Sequence, residues 1–296
     1  MEQSIATKIL RDATAVFVVF IFMFPLFWWG LSSIKPYSAI FNKDGPVYTE
    51  FEPMADNYRV TLLGMSRVEL VLESGGTYGA GGASSYDSRQ TILDSIIVAV
   101  GSTAIAVFLA TLAAYALSRM HVPGKQHFIF WVLSQRFMPP IAIVIPLLFM
   151  FRDMGLRDTH FGLIIAHVLI NLPLAVLLLK SFFDDVPKDV DEAAMIDGAT
   201  RWQTFRRVVL PMVRGGVAAT AVLCFIFSWT EFMLSLYLTT SIRTLPVKIS
   251  TFVTSTGTEW GFITALGTSA IVPAFIFILL VQRHLVRGLT LGSLKE

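Results

Sequence analysis

The stretch DEAAMIDGATRWQTFRRVVLP, residues 191–211, lies between two strongly apolar segments. It opens on two acids, carries a glycine in its middle and holds three arginines before a closing proline. Its chemistry predicts two short helices over 185–211. Pro187 suits the first position of a helix, where a backbone donor would be unpaired anyway. Asp189, Asp191 and Glu192 crowd the first turns, where negative charge meets the positive end of the helix dipole. The small Ala193 and Ala194 follow, and Gly198 is placed to end the helix in a left-handed cap. Thr200 then opens the second helix with a capping box, its hydroxyl on the Gln203 amide and the Gln203 side chain reaching back. Arg206 and Arg207 favour the C-terminal end of that helix, and Pro211 stops it. The segment is therefore expected to be a helix–turn–helix bracket with an exposed elbow from Ala193 to Ala199, Asp197 included. At this level it is either an amphipathic pair lying on a membrane surface or a docking knob for a partner.

The flanks make the chain a membrane protein. Of its 296 residues, 54% are hydrophobic and only 15% charged, against about 25% charged in soluble domains. Six apolar runs reach the roughly 20 residues that span a bilayer: 13–34, 92–117, 128–150, 161–180, 215–240 and 262–282. The expectation is an all-α membrane protein with six transmembrane helices. The first run is too long for the apolar core of a signal peptide, and no convincing cleavage site follows it. Lys8, Arg11, Arg119, Lys125, the basic residues of 180–214 and those of the tail fall on one side. The other side is sparser per residue, and most of its charge lies in a long loop that counts for little. Both termini are therefore expected inside. The chain divides into an N-terminal segment and first span (1–34), an outer loop (35–91), a core (92–282) containing an inner loop at 181–213, and a tail (283–296).

Lipid is one partner by this reading, and nucleic acid is not, because the net charge is only +2 and no basic aromatic stripe occurs. The single Cys224 rules out a disulfide within the chain. The five histidines, His121, His127, His160, His167 and His284, show no metal-ligand spacing and read as loop or interface residues. No catalytic residues and no metal site are expected. The outer loop holds ESGGTYGAGGASS (73–85), either a mobile surface loop or a contact to something outside, and LVLE (70–73) before it reads as a short strand. Trp28, Trp29 and Trp260 fit an interfacial aromatic belt. Pro25, Pro139, Pro140, Pro146, Pro173 and Pro273 fall inside spans, and Met138-Pro139-Pro140 is the most disruptive. Glu231 is an intramembrane charge and so a functional candidate. It either faces a path or pairs with Arg136, another charge within a span. Asn171, Ser228 and Thr230 could join Glu231 in bonding sugar hydroxyls if they share one cavity, or serve as glue between helices.

The bracket also resembles a known family. Glu192-Ala193-Ala194, three residues, Gly198, nine residues, then Val208-Val209-Leu210-Pro211 is similar to the EAA motif of bacterial ABC importer permeases, with Val208 where Ile is usual. AAYALSRMHVPGK (113–125), SWTEFMLSLYLT (228–239, with Thr230 where Asn is usual) and LVRGLTLGSLKE (285–296) resemble the carbohydrate-uptake branch that includes the maltose permease subunit. The outer loop 60–90 departs most, and QRFMPP and LRDTHFG look closer to polyol and α-glucoside permeases.

The resemblance implies a MetI-like fold of the type I importers and a multi-pass place in the bacterial inner membrane. It implies that the chain forms half of a path for a carbohydrate, glycoside or polyol, beside a second permease subunit of different sequence. Two ATP-binding subunits beneath would hold ATP and Mg, leaving this chain without a cofactor, and an external solute-binding protein would deliver solute. It assigns ATPase coupling to Glu192, Ala193, Ala194, Asp197, Gly198, Thr200 and Pro211, and a tail contact to Gly288 and Lys295. No G-x-x-x-x-G-K-[ST] occurs, so hydrolysis belongs to another chain. The competing reading is an ion-coupled secondary transporter using Glu231 and Arg136.

Overall fold

The computed structural model describes residues 5–41, 50–73, 86–254 and 257–292. Among the described residues, four helices are long and apolar enough to cross a bilayer: Lys8–Ser33, Arg89–Arg119, His160–Asp184 and Trp260–Gln282. Two bent helix pairs raise the number to six if each pair is one span. The chain divides into two compact units, residues 1–89 with 249–271 and residues 90–248 with 272–296.

In the first unit, α1 (Ile5–Ser33) runs unbroken through Pro25, and its apolar side chains from Val16 to Phe27 are exposed. Its last carbonyls lack helical partners. Asn57, farther along the chain, supplies one, its Nδ2 donating to Ser33 O at 2.9 Å and to Lys35 O at 3.2 Å. A short α2 (Tyr37–Ile40) precedes α3 (Asp56–Leu63), and α4 (Arg67–Glu73) follows it. Residues 70–73 are thus helical, not a strand. The reason is local: Ser66 Oγ accepts from Glu69 N at 3.2 Å while Glu69 Oε2 accepts from Ser66 N at 2.7 Å, a capping box that starts α4. Tyr86 packs on Phe252 and Phe262 with ring centroids 5.7 and 4.9 Å away. A two-residue antiparallel pair, β1 (Val253–Thr254) and β2 (Gly257–Thr258), precedes the last helix. The glycine-rich stretch 74–85 lies outside the described residues.

The second unit is built on α5 (Arg89–Arg119) and α8 (His160–Asp184). Between them α6 (Lys125–Ser134), continued by a 3₁₀ turn (Gln135–Phe137), meets α7 (Pro140–Asp153) at 97°. The bend sits at Met138, whose ψ of 124° is the extended backbone forced on a residue before proline. The run 128–150 is therefore two helices. Pro146, Pro173 and Pro273 lie in uninterrupted helices. Run 215–240 also divides, into α12 (Arg214–Trp229) and α13 (Met233–Leu238). A helix α14 (Leu245–Ser250) follows, and α15 (Trp260–Gly292) closes the described chain. The tail is thus helical through Gly292, with Gly288 inside the helix, while Lys295 lies outside the described residues.

The core of this unit joins α5, α8 and the bracket through Tyr115, Leu179, Phe183, Phe205 and Val209. A second cluster packs α7 and α8 on α13 through Val144, Phe151, Ala166, Leu234 and Leu238. α12 approaches α8 closely because Gly216 has no side chain: a Cβ there would stand 2.3 Å from the Phe182 ring.

Candidate functional site

The bracket folds by the local chemistry of its sequence. Its first helix, α9 (Asp189–Ile196), carries Asp189, Asp191 and Glu192 in its first turn. It begins two residues after Pro187, so that proline precedes the first turn instead of occupying it, and the Pro187 carbonyl accepts from Val190 N at 3.3 Å. The helix ends in a Schellman motif: Ala199 N donates to Ala194 O at 3.0 Å and Gly198 N to Met195 O at 3.1 Å. Gly198 holds φ at 84°, the left-handed conformation that glycine adopts without penalty. Thr200 then closes its capping box, with Gln203 N donating to Thr200 Oγ1 at 3.3 Å and Thr200 N to Gln203 Oε1 at 2.8 Å.

The second limb departs from the expected plain helix. A short α10 (Arg201–Gln203) passes into a π-helical turn (Thr204–Val209) and then α11 (Leu210–Met212). Pro211 lies within α11, so the limb runs one residue past it before bending 74° into α12. Pro211 has no N–H to donate to the carbonyl four residues back, and the wider turn lies just before it. Arg206 and Arg207 sit in this π turn and are exposed.

The elbow is exposed: Glu192, Ala193, Met195, Ile196, Asp197 and Gly198 all face outward, Ile196 with 86% of its surface free. Glu192 therefore does not secure the bracket. Its neighbour Asp191 does. Arg119 Nε at the end of α5 stands 2.9 Å from Asp191 Oδ2, with side chains only 7% and 9% exposed. That contact is electrostatic and lacks an aligned hydrogen bond. Tyr115 OH donates to Asp191 Oδ1 at 3.3 Å, and Arg119 donates to the Val186 carbonyl at 2.7 Å. Tyr115 also packs its ring 4.7 Å from Phe205 of the second limb. Asp191 and Arg119 carry no signal in the motif, and only their proximity across 72 positions exposes the role.

The five polar path candidates do not form one group. Glu231 sits in the break between α12 and α13 and caps α13. Its Oε1 accepts from Leu234 N at 2.7 Å, and its Oε2 from Ser235 N at 3.1 Å and Ser235 Oγ at 3.2 Å. The basic side chain beside it is His167, Nε2 to Oε2 3.4 Å, and not Arg136. His167 is fully buried, its Nδ1 2.6 Å from Ser228 Oγ, which is itself 2.8 Å from Ser102 Oγ. This buried chain ties α5, α8, α12 and α13 together, so His167 is a central structural group and not a loop or interface residue. Asn171, one turn along α8, is buried and donates to Cys224 O at 3.4 Å. Thr230 is exposed and bonds back to Ile226 O. Arg136 is exposed, donates to Ile170 O at 3.3 Å and lies 5.5 Å from the Phe227 ring centroid. Among the described residues no group of His, Cys, Asp and Glu could hold a metal ion.

The apolar helices, with a capped, solvent-exposed bracket between two of them, make the chain a multi-pass membrane protein. Residues 106–291 match the family of binding-protein-dependent transport system inner membrane components, and the chain belongs to that family: it is an inner-membrane permease subunit of an ABC importer, a system that also comprises ATPase and solute-binding partners. It is 36% identical over 277 residues to the trehalose transport system permease protein of Mycobacterium tuberculosis, covering 92% of each chain. It is 32% identical to the trehalose/maltose transport system permease protein of Thermococcus litoralis, over 100% of this chain and 99% of that one. Its fold matches a chain in the crystal structure of a bacterial ABC transporter importing the acidic polysaccharide alginate. There the TM-score is 0.70 at 20% identity, covering 96% of this chain and 99% of that one.

Proposed function

We propose that this permease imports a carbohydrate or glycoside and is driven through the bracket. Relatives named for trehalose, maltose and diacetylchitobiose transport support that solute class. In this reading the chain pairs with a second permease subunit to enclose the path, and both termini face the cytoplasm with the bracket. Two ATP-binding subunits, carrying ATP and Mg, receive the elbow, and an external solute-binding protein supplies the sugar.

The observation that carries the coupling assignment is the contrast within α9. Asp191 is buried on Arg119, while Glu192, Met195 and Ile196 are exposed. A lever needs one face fixed to the spans and one free for the motor. Closure of the ATPase dimer would push the elbow, and the Arg119–Asp191 contact would pass that displacement to α5. The tail, with Gly288 and Lys295, is a second contact to the ATPases. Glu231, Asn171 and Ser228 act by holding helices in register, and Thr230 and Arg136 remain the exposed candidates for the path.

Gly198→Val tests the assignment in the full complex reconstituted in vesicles. A left-handed backbone costs a branched residue about 1–2 kcal/mol, so the elbow is displaced while insertion proceeds. The expected result is ATP hydrolysis without stimulated sugar uptake. Normal uptake by this variant would sink the coupling role.

A further inference from the structure

We propose that a groove beside the bracket holds an anionic phospholipid, its acyl chain along α5 and its phosphate on Arg206. The groove encloses about 530 Å³. One wall is α5 from Val100 to Leu112, where Phe108 is 63% exposed. Val217 and Ala221 of α12 and Phe277 of α15 form the other. Trp202 and Arg206 of the bracket close one end.

Three observations favour a lipid over a protein helix. First, Arg206 is the one charged residue on the lining, it is exposed, and no acid among the described residues pairs with it. Basic positions at the ends of apolar clefts between spanning helices recognise lipid phosphates. Second, Trp202, 59% exposed, stands beside it, and tryptophan favours the level of the headgroups. Third, Val100 to Leu112 covers about 18 Å at 1.5 Å per residue. That matches one leaflet, about half of the roughly 30 Å hydrocarbon core, whereas a spanning helix would need a groove nearly twice as long. The polar end lies at the bracket, because α5 reaches α9 through Tyr115 and Arg119 beyond Leu112. The inference needs only the membrane setting and is independent of the coupling assignment.

The test uses the whole transporter in vesicles of phosphatidylcholine and phosphatidylglycerol mixed 3:1, followed by detergent extraction and quantification of retained lipid by mass spectrometry. The wild type should retain phosphatidylglycerol enriched about fivefold over the bulk ratio, the effect of one basic group near the surface. Arg206→Glu should return the ratio to bulk, Arg207→Glu should leave it enriched, and Ala104→Trp should remove one retained lipid per chain. A photo-crosslinking residue replacing Phe108 reads the occupant directly. Lipid adducts support the proposal, and adducts to the second permease subunit overturn it. Unchanged enrichment in Arg206→Glu overturns it as well.

Discussion

Asp191→Ala should detach the bracket from the spans while leaving the exposed elbow chemically intact. The substitution strands Arg119, whose side chain is only 7% exposed, without its carboxylate partner. Removing one member of a buried ion pair costs about 3–5 kcal/mol, because the other charge stays desolvated. The bonds from Arg119 to the Val186 carbonyl and to Ser118 Oγ remain and favour the lower end of that range. About 3 kcal/mol taken from the local opening energy of α9 is a roughly hundredfold rise in its amide exchange rate. Hydrogen exchange of residues 189–196 in the purified complex reads this directly. Glu192→Ala supplies the contrast. Its side chain is exposed, so it loses only a favourable dipole contact of about 0.3–1 kcal/mol, a two- to fivefold change, while weakening association with the ATP-binding subunits. Equal exchange in the two variants would refute the division of labour between anchor and face.

Asp158 clasps the loop after α13. Its carboxylate accepts from Thr240 N, Thr240 Oγ1, Ser241 N and Ser241 Oγ at 2.8–2.9 Å and from Ile242 N at 3.3 Å. Burial opposes its charge, but the donors outweigh burial and hold the acid below the usual carboxylate range. A depressed folded value means the stabilisation is complete above the unfolded value of about 3.9 and fades as pH falls below it. Asp158→Ala should therefore lower the melting temperature by the same amount at pH 7 and pH 5, equivalent to about 1–2 kcal/mol, with the gap narrowing only below about pH 4. His167→Ala should cost about 2–3 kcal/mol by leaving Ser228 and Glu231 short of a buried partner, whereas Arg136→Ala costs under about 1 kcal/mol. Equal shifts in a thermal melt would revive a shared role for Glu231 and Arg136. Gly216→Leu should destabilise by about 1–3 kcal/mol through overpacking on Phe182, seen as a lower midpoint in the same melt.

The bracket was legible because its signals are local. Gly198, Thr200 and Gln203 act within three or four positions of their partners, and capping chemistry depends on little else. The break at Met138 was legible for the same reason, since Pro139 restricts the residue before it. The small capping box at Ser66–Glu69 was equally local, yet the apolar run 70–73 masked it. The division of run 215–240 was hidden because the residues around Glu231 continue the apolar pattern; the carboxylate stabilises the break only by accepting from the first amides of α13.

Sequence alone thus determined that the chain crosses a membrane, where its bracket turns, and which residues its elbow exposes, because hydropathy and capping act along the chain. Tertiary structure decided what holds the bracket and the broken span. Arg119 meets Asp191, and His167 meets Ser228 and Glu231, only when helices distant in sequence pack side by side. Adjacent acids such as Asp191 and Glu192 look alike in the sequence; burial against α5 makes one an anchor and leaves the other free.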